Sequence, residues 1–123
     1  MAFGRLQAVQ RMSSHSRKTP VLFVQLPLNT SAALEATGNI PMAGASLAAA
    51  ASYPTESVFP QYLADKLGDR AIVKEIVKRR PDVVAFTLYM WNCERTLHIA
   101  QMVRSLLPDA ILAAGGPEVT RDN

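Results

Sequence analysis

Cysteine is almost absent from this 123-residue sequence, which contains a single one, Cys93. One cysteine cannot form a disulfide within the chain, and it cannot by itself hold a zinc ion or an iron–sulfur cluster. The sequence also lacks any apolar run approaching the roughly 20 residues that a membrane-spanning helix needs. These absences exclude a disulfide-stapled secreted domain and predict a protein of the reducing cytoplasm that has no membrane partner.

The motifs of common nucleotide and phosphoryl sites are missing as well. Neither G-x-G-x-x-G nor G-x-x-x-x-G-K-[ST] occurs, and no aspartate ends the apolar run Asp82–Leu88, where a phospho-accepting receiver domain needs one. Glu118 is a lone carboxylate without an acid–base partner, and His98 shares a polar helix face with Glu94 and Gln101. The sequence therefore predicts a binding domain with neither a catalytic centre nor a metal site formed by its own side chains.

Basic charge is concentrated at one end of the chain. The formal net charge is +3, but residues 1–18 contain Arg5, Arg11, Arg17 and Lys18 and no acidic residue. The remaining residues hold nine Lys or Arg against ten Asp or Glu, so they are nearly neutral and do not predict binding to nucleic acid. We therefore expect a disordered basic leader over residues 1–19 and one domain over residues 20–123.

Apolar runs and amphipathic segments alternate along this domain. Predicted strands occupy Val21–Leu26, Glu56–Phe59, Asp82–Leu88 and Ala110–Ala114, and predicted helices occupy Pro41–Ala51, Gln61–Leu67, Asp69–Arg80 and Cys93–Leu107. Asp69 and Asn92 stand where helix N-caps are expected. On the last helix we expect Leu97, Ala100, Val103 and Leu107 to share the apolar face. The alternation predicts an α/β fold with a parallel sheet and right-handed crossovers.

Ligands of open α/β sheets bind beyond the carboxyl ends of the strands. That rule selects three segments, Pro27–Thr30, Tyr89–Asn92 and Gly115–Glu118. Gly115 and Gly116 remove two side chains where a ligand could approach the backbone, although an ordinary tight turn before Pro117 has the same signature. Tyr89 and Trp91 could form an apolar wall for a flat ligand, or they could pack in the core beneath the next helix.

Linked segments of the chain carry a resemblance to a known family. They are Ile40–Gly44 leading into Leu47–Ala49, then Arg80–Phe86, Tyr89–Leu97 and Gly115–Val119. The Trp-Asn-x-Glu-Arg and Gly-Gly-Pro-Glu parts are the most specific. In this order and spacing, the stretch from Val21 to Thr120 resembles the cobalamin-binding N-terminal domain of radical S-adenosylmethionine enzymes.

The resemblance implies a flavodoxin-like (Rossmann-like) parallel sheet of order 2-1-3-4-5 that binds cobalamin (vitamin B12) in the base-off state, with its nucleotide tail detached from cobalt. It implies a cofactor-binding set made of Pro27, Leu28, Asn29, Leu88, Tyr89, Trp91, Asn92, Gly115, Gly116, Pro117 and Glu118. It also implies a partner, a radical S-adenosylmethionine catalytic domain or a separate chain. That partner would carry the iron–sulfur cluster and S-adenosylmethionine of a methyltransferase-like parent enzyme.

The sequence lacks the D-x-H-x-x-G motif through which classical cobalamin carriers offer a histidine to cobalt, and the resemblance implies the same of many radical S-adenosylmethionine relatives. It departs from the family in two ways, the first being that it lacks the C-x-x-x-C-x-x-C motif of the cluster. The chain also stops at Asn123, before the expected fifth strand. We therefore expect a C-terminally incomplete domain of order 2-1-3-4, whose exposed fourth strand could form a homo-oligomer.

Two other functions fit the same residues. One is a flavodoxin-like domain that binds flavin mononucleotide, with the phosphate held by the hydroxyl-rich loop Thr30–Thr37. The other is a truncated interaction fragment that binds no cofactor. Cobalamin and flavin have distinct visible spectra, so the three functions can be separated by adding each cofactor and recording what the protein retains.

Overall fold

The computed structural model describes residues 21–27, 42–51 and 59–122. They form β1 (Val21–Val24), α1 (Met42–Ala50), α2 (Gln61–Lys66), α3 (Asp69–Arg79), β2 (Val83–Thr87), α4 (Cys93–Leu106) and β3 (Ile111–Gly115). The strands form one parallel sheet in the order β1-β2-β3. The predicted α/β class with a parallel sheet is confirmed, and the arrangement is consistent with a flavodoxin-like fold. Within the described ranges, no helix combines the length and apolar character needed to cross a membrane.

Alternate residues of the three strands face one hydrophobic core. In the register of the sheet, Val84 of β2 lies between Leu22 of β1 and Leu112 of β3, and Phe86 lies beside Val24. These side chains pack with the buried residues of the two helices, Ile72, Val73 and Ile76 of α3 and Ile99 and Val103 of α4. Helices α3 and α4 therefore cover the same face of the sheet.

Helix α3 has the apolar face that its sequence predicts, but it begins differently. The N-cap position belongs to Gly68 and shows no side-chain hydrogen bond, so the prediction that Asp69 caps this helix is wrong. The carboxylate of Asp69 instead accepts a hydrogen bond from Nε of Arg95 in α4, at 2.8 Å. This partly exposed ion pair links the two helices and contributes at most about 1 kcal/mol.

The predicted apolar face of α4 is confirmed for Ala100, Val103 and Leu107, which pack against the core, but not for Leu97. Leu97 is 49% exposed, whereas Thr96, Ile99 and Val103 are buried. Together with buried Asn92, these three residues follow the spacing i, i+4, i+7, i+11 of one helical stripe. The placement of Leu97 on the buried face is wrong, because the core-facing stripe of this helix begins with two polar residues that an apolar pattern does not count.

Two predicted segments lie largely or wholly outside the described residues. One is the leader over residues 1–19, and the other is the second strand, Glu56–Phe59, of which Phe59 alone is described. Phe59 is buried, and its N–H donates a hydrogen bond to the carbonyl oxygen of Phe23 in β1 at 2.7 Å. The last residue of the second predicted strand is thus hydrogen-bonded directly to the backbone of β1.

Candidate functional site

The predicted site lies where the three strands end. Pro27, which is buried, follows β1, the segment Leu88–Asn92 joins β2 to α4, and Gly115–Glu118 runs from the end of β3 into the turn beyond it. Because the strands are parallel, these three carboxyl ends share one edge of the sheet. The remaining predicted residues, Leu28 and Asn29, lie outside the described residues.

The segments after β2 and β3 are joined through the backbone of Leu88. Its N–H donates to the carbonyl oxygen of Gly115 at 2.7 Å, and its own carbonyl oxygen accepts from the N–H of Glu118 at 3.4 Å. Gly116 has φ +117°, and a Cβ at this position would overlap the Leu88 carbonyl oxygen. Gly116 is therefore required because two backbone segments approach each other closely at this position. An ordinary tight turn, the alternative that the sequence also allowed, would not by itself require this contact.

Gly115 differs from its neighbour because its missing side chain leaves open space. A Cβ on Gly115 would find no heavy atom within 4 Å. Pro117 beside it is exposed and Glu118 is half-buried. A ligand could therefore reach the backbone of this turn from the side that Gly115 leaves open.

Tyr89, which is half-buried, and Trp91, which is exposed, form a stacked aromatic pair at the end of β2. Their rings stack in parallel, with centroids 4.5 Å apart and an angle of 3° between the planes. Trp91 is 44% exposed, so it does not pack in the core as the alternative interpretation of the sequence required. Met90 between them is 80% exposed. The stacked pair and the open glycine turn thus follow two neighbouring strands, β2 and β3, at the same edge of the sheet.

Asn92 is the most deeply buried polar residue of the predicted site, at 1% exposure. It stands at the N-cap position of α4 but makes no side-chain cap hydrogen bond, so the predicted cap is wrong. Its Nδ2 donates to the carbonyl oxygens of Leu26 at 3.0 Å and Thr87 at 3.1 Å. Its Oδ1 accepts from the N–H of Tyr89 at 2.8 Å, so the side chain turns towards the strand ends instead of its own helix.

Two further polar residues of the described part, Gln25 and Thr96, are buried although the sequence pattern assigns them no role. Gln25, 5% exposed, directly follows β1, and Thr96, 1% exposed, lies one helical turn beyond Asn92. Gln25 could have been found as the one strongly polar residue in the apolar run Val21–Leu26. Thr96 gave no signal, because threonine is found mostly at exposed positions.

The described loops of the site contain few titratable side chains. Among the described residues, no three His, Cys, Asp or Glu side chains come together to hold a metal ion. His98 is exposed on α4, and Cys93 is partly buried at the first position of that helix. Within the described segments Leu88–Asn92 and Gly115–Glu118, the acidic side chain is that of Glu118. The loops therefore offer apolar rings and backbone groups for recognition.

Two clefts of the described part lie away from these loops. One of about 450 Å³ lies at the amino ends of β2 and β3 and is lined by residues that include Arg80, Asp82 and Asp109. The other, of about 710 Å³, lies on the surface between α3 and α4 and includes Arg70 and His98. The predicted site is instead an open edge of the sheet.

Comparisons with known proteins identify a family. The chain matches the model of the B12 binding domain over residues 33–123. It is 41% identical over 39 residues to the "cobalamin-dependent radical SAM methyltransferase TokK" of Streptomyces tokunonensis. The same identity and length relate it to the "2-(S-pantetheinyl)-carbapenam-3-carboxylate methyltransferase" of Streptantibioticus cattleyicolor. Each match covers 32% of this chain and 6% of the relative. No solved structure matches the chain.

Proposed function

The chain belongs to the B12-binding domain family, and we propose that it holds cobalamin at the carboxyl ends of its parallel strands as the binding module of a radical S-adenosylmethionine enzyme. The family identifies cobalamin as the cofactor. The placement is supported by one observation, that a stacked aromatic pair and an open glycine turn follow two neighbouring strands at the same edge of the sheet. When bound, cobalamin supplies cobalt-centred chemistry that amino-acid side chains do not provide.

The described residues suit a large, flat, mostly apolar ring whose rim carries amide groups. The stacked rings of Tyr89 and Trp91 offer apolar contact, and the backbone of Gly115–Glu118 offers hydrogen-bonding groups for the amides. Cofactor sites commonly combine apolar walls with a few polar groups that fix orientation. Pro27, Leu28 and Asn29 would complete the site from the end of β1. In this proposal the chain itself binds and orients, and it has no catalytic group.

We expect the bound cobalamin to be base-off, with no nitrogen ligand on the lower face of cobalt. The missing D-x-H-x-x-G motif and the exposed position of His98 on α4 argue against a histidine ligand from this chain, and the detached nucleotide tail is what the family resemblance implies. The test adds hydroxocobalamin to the 123-residue chain, removes the excess by desalting, and records the visible spectrum. The reduced Co(II) form is then examined by electron paramagnetic resonance, which resolves splitting by a coordinated nitrogen.

Each outcome of this experiment supports or contradicts a different part of the proposal. Retained cobalamin without nitrogen splitting agrees with the proposal. Retained cobalamin with a histidine or benzimidazole ligand contradicts the base-off state alone. Failure to retain cobalamin contradicts the proposed function, and retention of flavin mononucleotide in a parallel sample would replace it by a flavodoxin-like function.

The parent enzyme is proposed from the relatives. Both are named as methyltransferases, and one is named as a cobalamin-dependent radical SAM enzyme. We propose a methyltransferase-like parent in which a catalytic domain or separate chain carries the iron–sulfur cluster and S-adenosylmethionine. A reducing cytoplasmic location is part of this proposal and agrees with the free thiol of Cys93.

The strand order 2-1-3-4 also remains a proposal. This order numbers the four predicted strands, of which β1, β2 and β3 are the first, third and fourth. The second predicted strand, Glu56–Phe59, would lie beside β1, on the side away from β2. The hydrogen bond from Phe59 N–H to the Phe23 carbonyl oxygen supports this position. At the opposite edge, we propose that β3 pairs with β3 of a second copy, because its apolar residues Ile111 and Leu112 stand at or near the surface.

Replacing Trp91 by alanine should weaken cobalamin binding more than it weakens the fold. Trp91 is half exposed and stacks on Tyr89, so its removal takes apolar surface from the site and leaves the core intact. We expect the affinity for hydroxocobalamin to fall at least about tenfold, the usual effect of losing an aromatic anchor. We expect the free energy of unfolding in urea to fall by less than about 1.5 kcal/mol.

Met90→Ala is the matched control, since Met90 lies in the same loop, is 80% exposed and takes no part in the stack. It should change neither quantity appreciably. A loss of about 3–5 kcal/mol in Trp91→Ala, as for a truncated core aromatic, would show that the residue is structural.

A further inference from the structure

Asn92 connects two of the backbone segments from which the site is built, the end of β1 and the stretch that leads from β2 into α4. An asparagine side chain can donate two hydrogen bonds and accept two. Asn92 donates to Leu26 after β1 and to Thr87 at the end of β2, and it accepts from Tyr89 at the start of the aromatic loop. At 1% exposure, it has almost no surface left for a ligand. Its side chain therefore acts on the protein backbone.

The two donor bonds stand where the pairing of β1 with β2 ends. The last residues paired in the register are Val24 and Phe86. Leu26 and Thr87 lie beyond this pair, and the side-chain amide of Asn92 joins their carbonyl oxygens. Since parallel strands part where ladder hydrogen bonds stop, this bridge holds the spacing of the two strand ends at the site edge.

The acceptor bond fixes the base of the aromatic pair. Tyr89 N–H donates to Asn92 Oδ1, and the Tyr89 carbonyl oxygen accepts from the backbone N–H groups of Asn92 at 3.0 Å and Cys93 at 2.9 Å. Both backbone groups of Tyr89 are thus bound at the start of α4. Tyr89 in turn supports Trp91, because their rings stack 4.5 Å apart. The orientation of the exposed aromatic surface therefore depends on Asn92.

We propose that Asn92 is a positioning residue that fixes the Tyr89–Trp91 pair relative to the end of β1 and so pre-organises the cofactor site without contacting the cofactor. This inference rests on the proposed function for the identity of the ligand. The role of Asn92 in orienting the aromatic pair does not require any ligand. A rigid, pre-organised site binds more tightly because less conformational freedom is lost on binding.

Asn92→Asp tests the proposal with the smallest change of shape. The aspartate keeps an oxygen that can accept from Tyr89 N–H, but it places a second oxygen against the carbonyl oxygens of Leu26 and Thr87. Asn92→Ser is the second variant, because its hydroxyl is too short to bridge the strands and introduces no charge. Thr96→Val is the control, since it changes a buried polar residue of the same helix face outside the loops.

Three measurements on the full 123-residue chain are needed. In the cofactor-free protein, near-ultraviolet circular dichroism should lose the signal of the stacked rings in both Asn92 variants and keep it in Thr96→Val. The affinity for hydroxocobalamin should fall about tenfold or more in the Asn92 variants, as expected for broken buried hydrogen bonds. Combining Asn92→Ser with Trp91→Ala should add less than about a twofold further loss, because both changes disable the same surface.

The outcomes separate the positioning role from the proposed function. If wild-type protein binds no cobalamin but the circular dichroism changes as expected, the proposed function fails and the positioning role stands. Fully additive losses with Trp91→Ala, or an unchanged ring signal, would overturn the positioning role. If neither Asn92 variant folds while Thr96→Val does, Asn92 is a general folding residue and the inference is also overturned.

Discussion

Gly116→Ala is expected to lower the free energy of unfolding by about 3 kcal/mol, a large effect for the addition of one methyl group. Two causes act together at this position. The backbone has φ +117°, which a residue with a side chain adopts only under strain, and the new Cβ would overlap the carbonyl oxygen of Leu88. That oxygen belongs to the backbone of a strand end, so it cannot move aside without disturbing the pairing of β2 with β3.

Gly115→Ala is the matched control for this prediction. Gly115 precedes Gly116 directly, yet its Cβ would have no heavy atom within 4 Å, and its φ is not in the left-handed region. We expect this variant to unfold within about 1 kcal/mol of the wild-type protein. The measurement is the midpoint and slope of urea unfolding for the three proteins. Equal destabilisation by both substitutions would show that Gly116 does not carry the close contact described above.

The two glycine variants also separate fold from site. If the open space at Gly115 admits the cofactor, then Gly115→Ala should weaken hydroxocobalamin binding while leaving stability nearly unchanged. Gly116→Ala should weaken binding through a displaced turn. The sequence could indicate that a ligand or a tight turn required these glycines, but it could not distinguish their roles, because each role depends on which atoms lie opposite.

The elements that the sequence predicts best are those whose faces are wholly apolar or wholly polar. Helix α3 and strand β2 fall close to their predicted bounds, since Ile72, Val73 and Ile76 and the run around Val84 leave little choice of buried face. Helix α4 is different, because its buried stripe includes Asn92 and Thr96. A prediction based on hydrophobicity alone does not count these two polar residues as buried, which is why it places Leu97 on the buried face.

The position of the site could be predicted for a topological reason. Parallel strands bring their carboxyl ends to one edge whatever the side chains are, so the loops around Leu88 and Gly115 were bound to meet. The supporting contacts could not be predicted. Asn92 stands at the start of a helix, where a cap is the usual role, and only the positions of Leu26 and Thr87 show that its amide has better partners among the strand ends.

The exposed edge of β3 leads to a prediction about association. In the described sheet, β3 is the terminal strand of the order β1-β2-β3, and Ile111 is 63% exposed. Ile111 N–H bonds to the Asp82 carbonyl oxygen, and the Gly115 carbonyl oxygen accepts from Leu88 N–H, so these residues direct their backbone towards β2. Backbone groups alternate in direction along a strand, which turns those of Leu112 and Ala114 to the outer edge.

The sequence of this edge strand lacks two features that discourage pairing. The strand Ile111–Gly115 contains no charge and no proline, and edges of that kind tend to add a further strand. A second copy can supply one by antiparallel pairing of β3 with β3, which buries Ile111 of both copies in one symmetric contact. We therefore expect the wild-type chain to run as a dimer at tens of micromolar in size exclusion with light scattering.

Ile111→Lys should convert that dimer to a monomer, because it places two like charges in the symmetric contact and must desolvate them on association. Leu97→Lys is the matched control: Leu97 is 49% exposed, lies on α4 and undergoes the same chemical change away from the edge of β3. It should leave the dimer intact. A wild-type chain that is monomeric at tens of micromolar would contradict the prediction and would mean that another part of the chain covers β3. Equal dissociation by both lysines would instead locate the contact on a surface that includes α4.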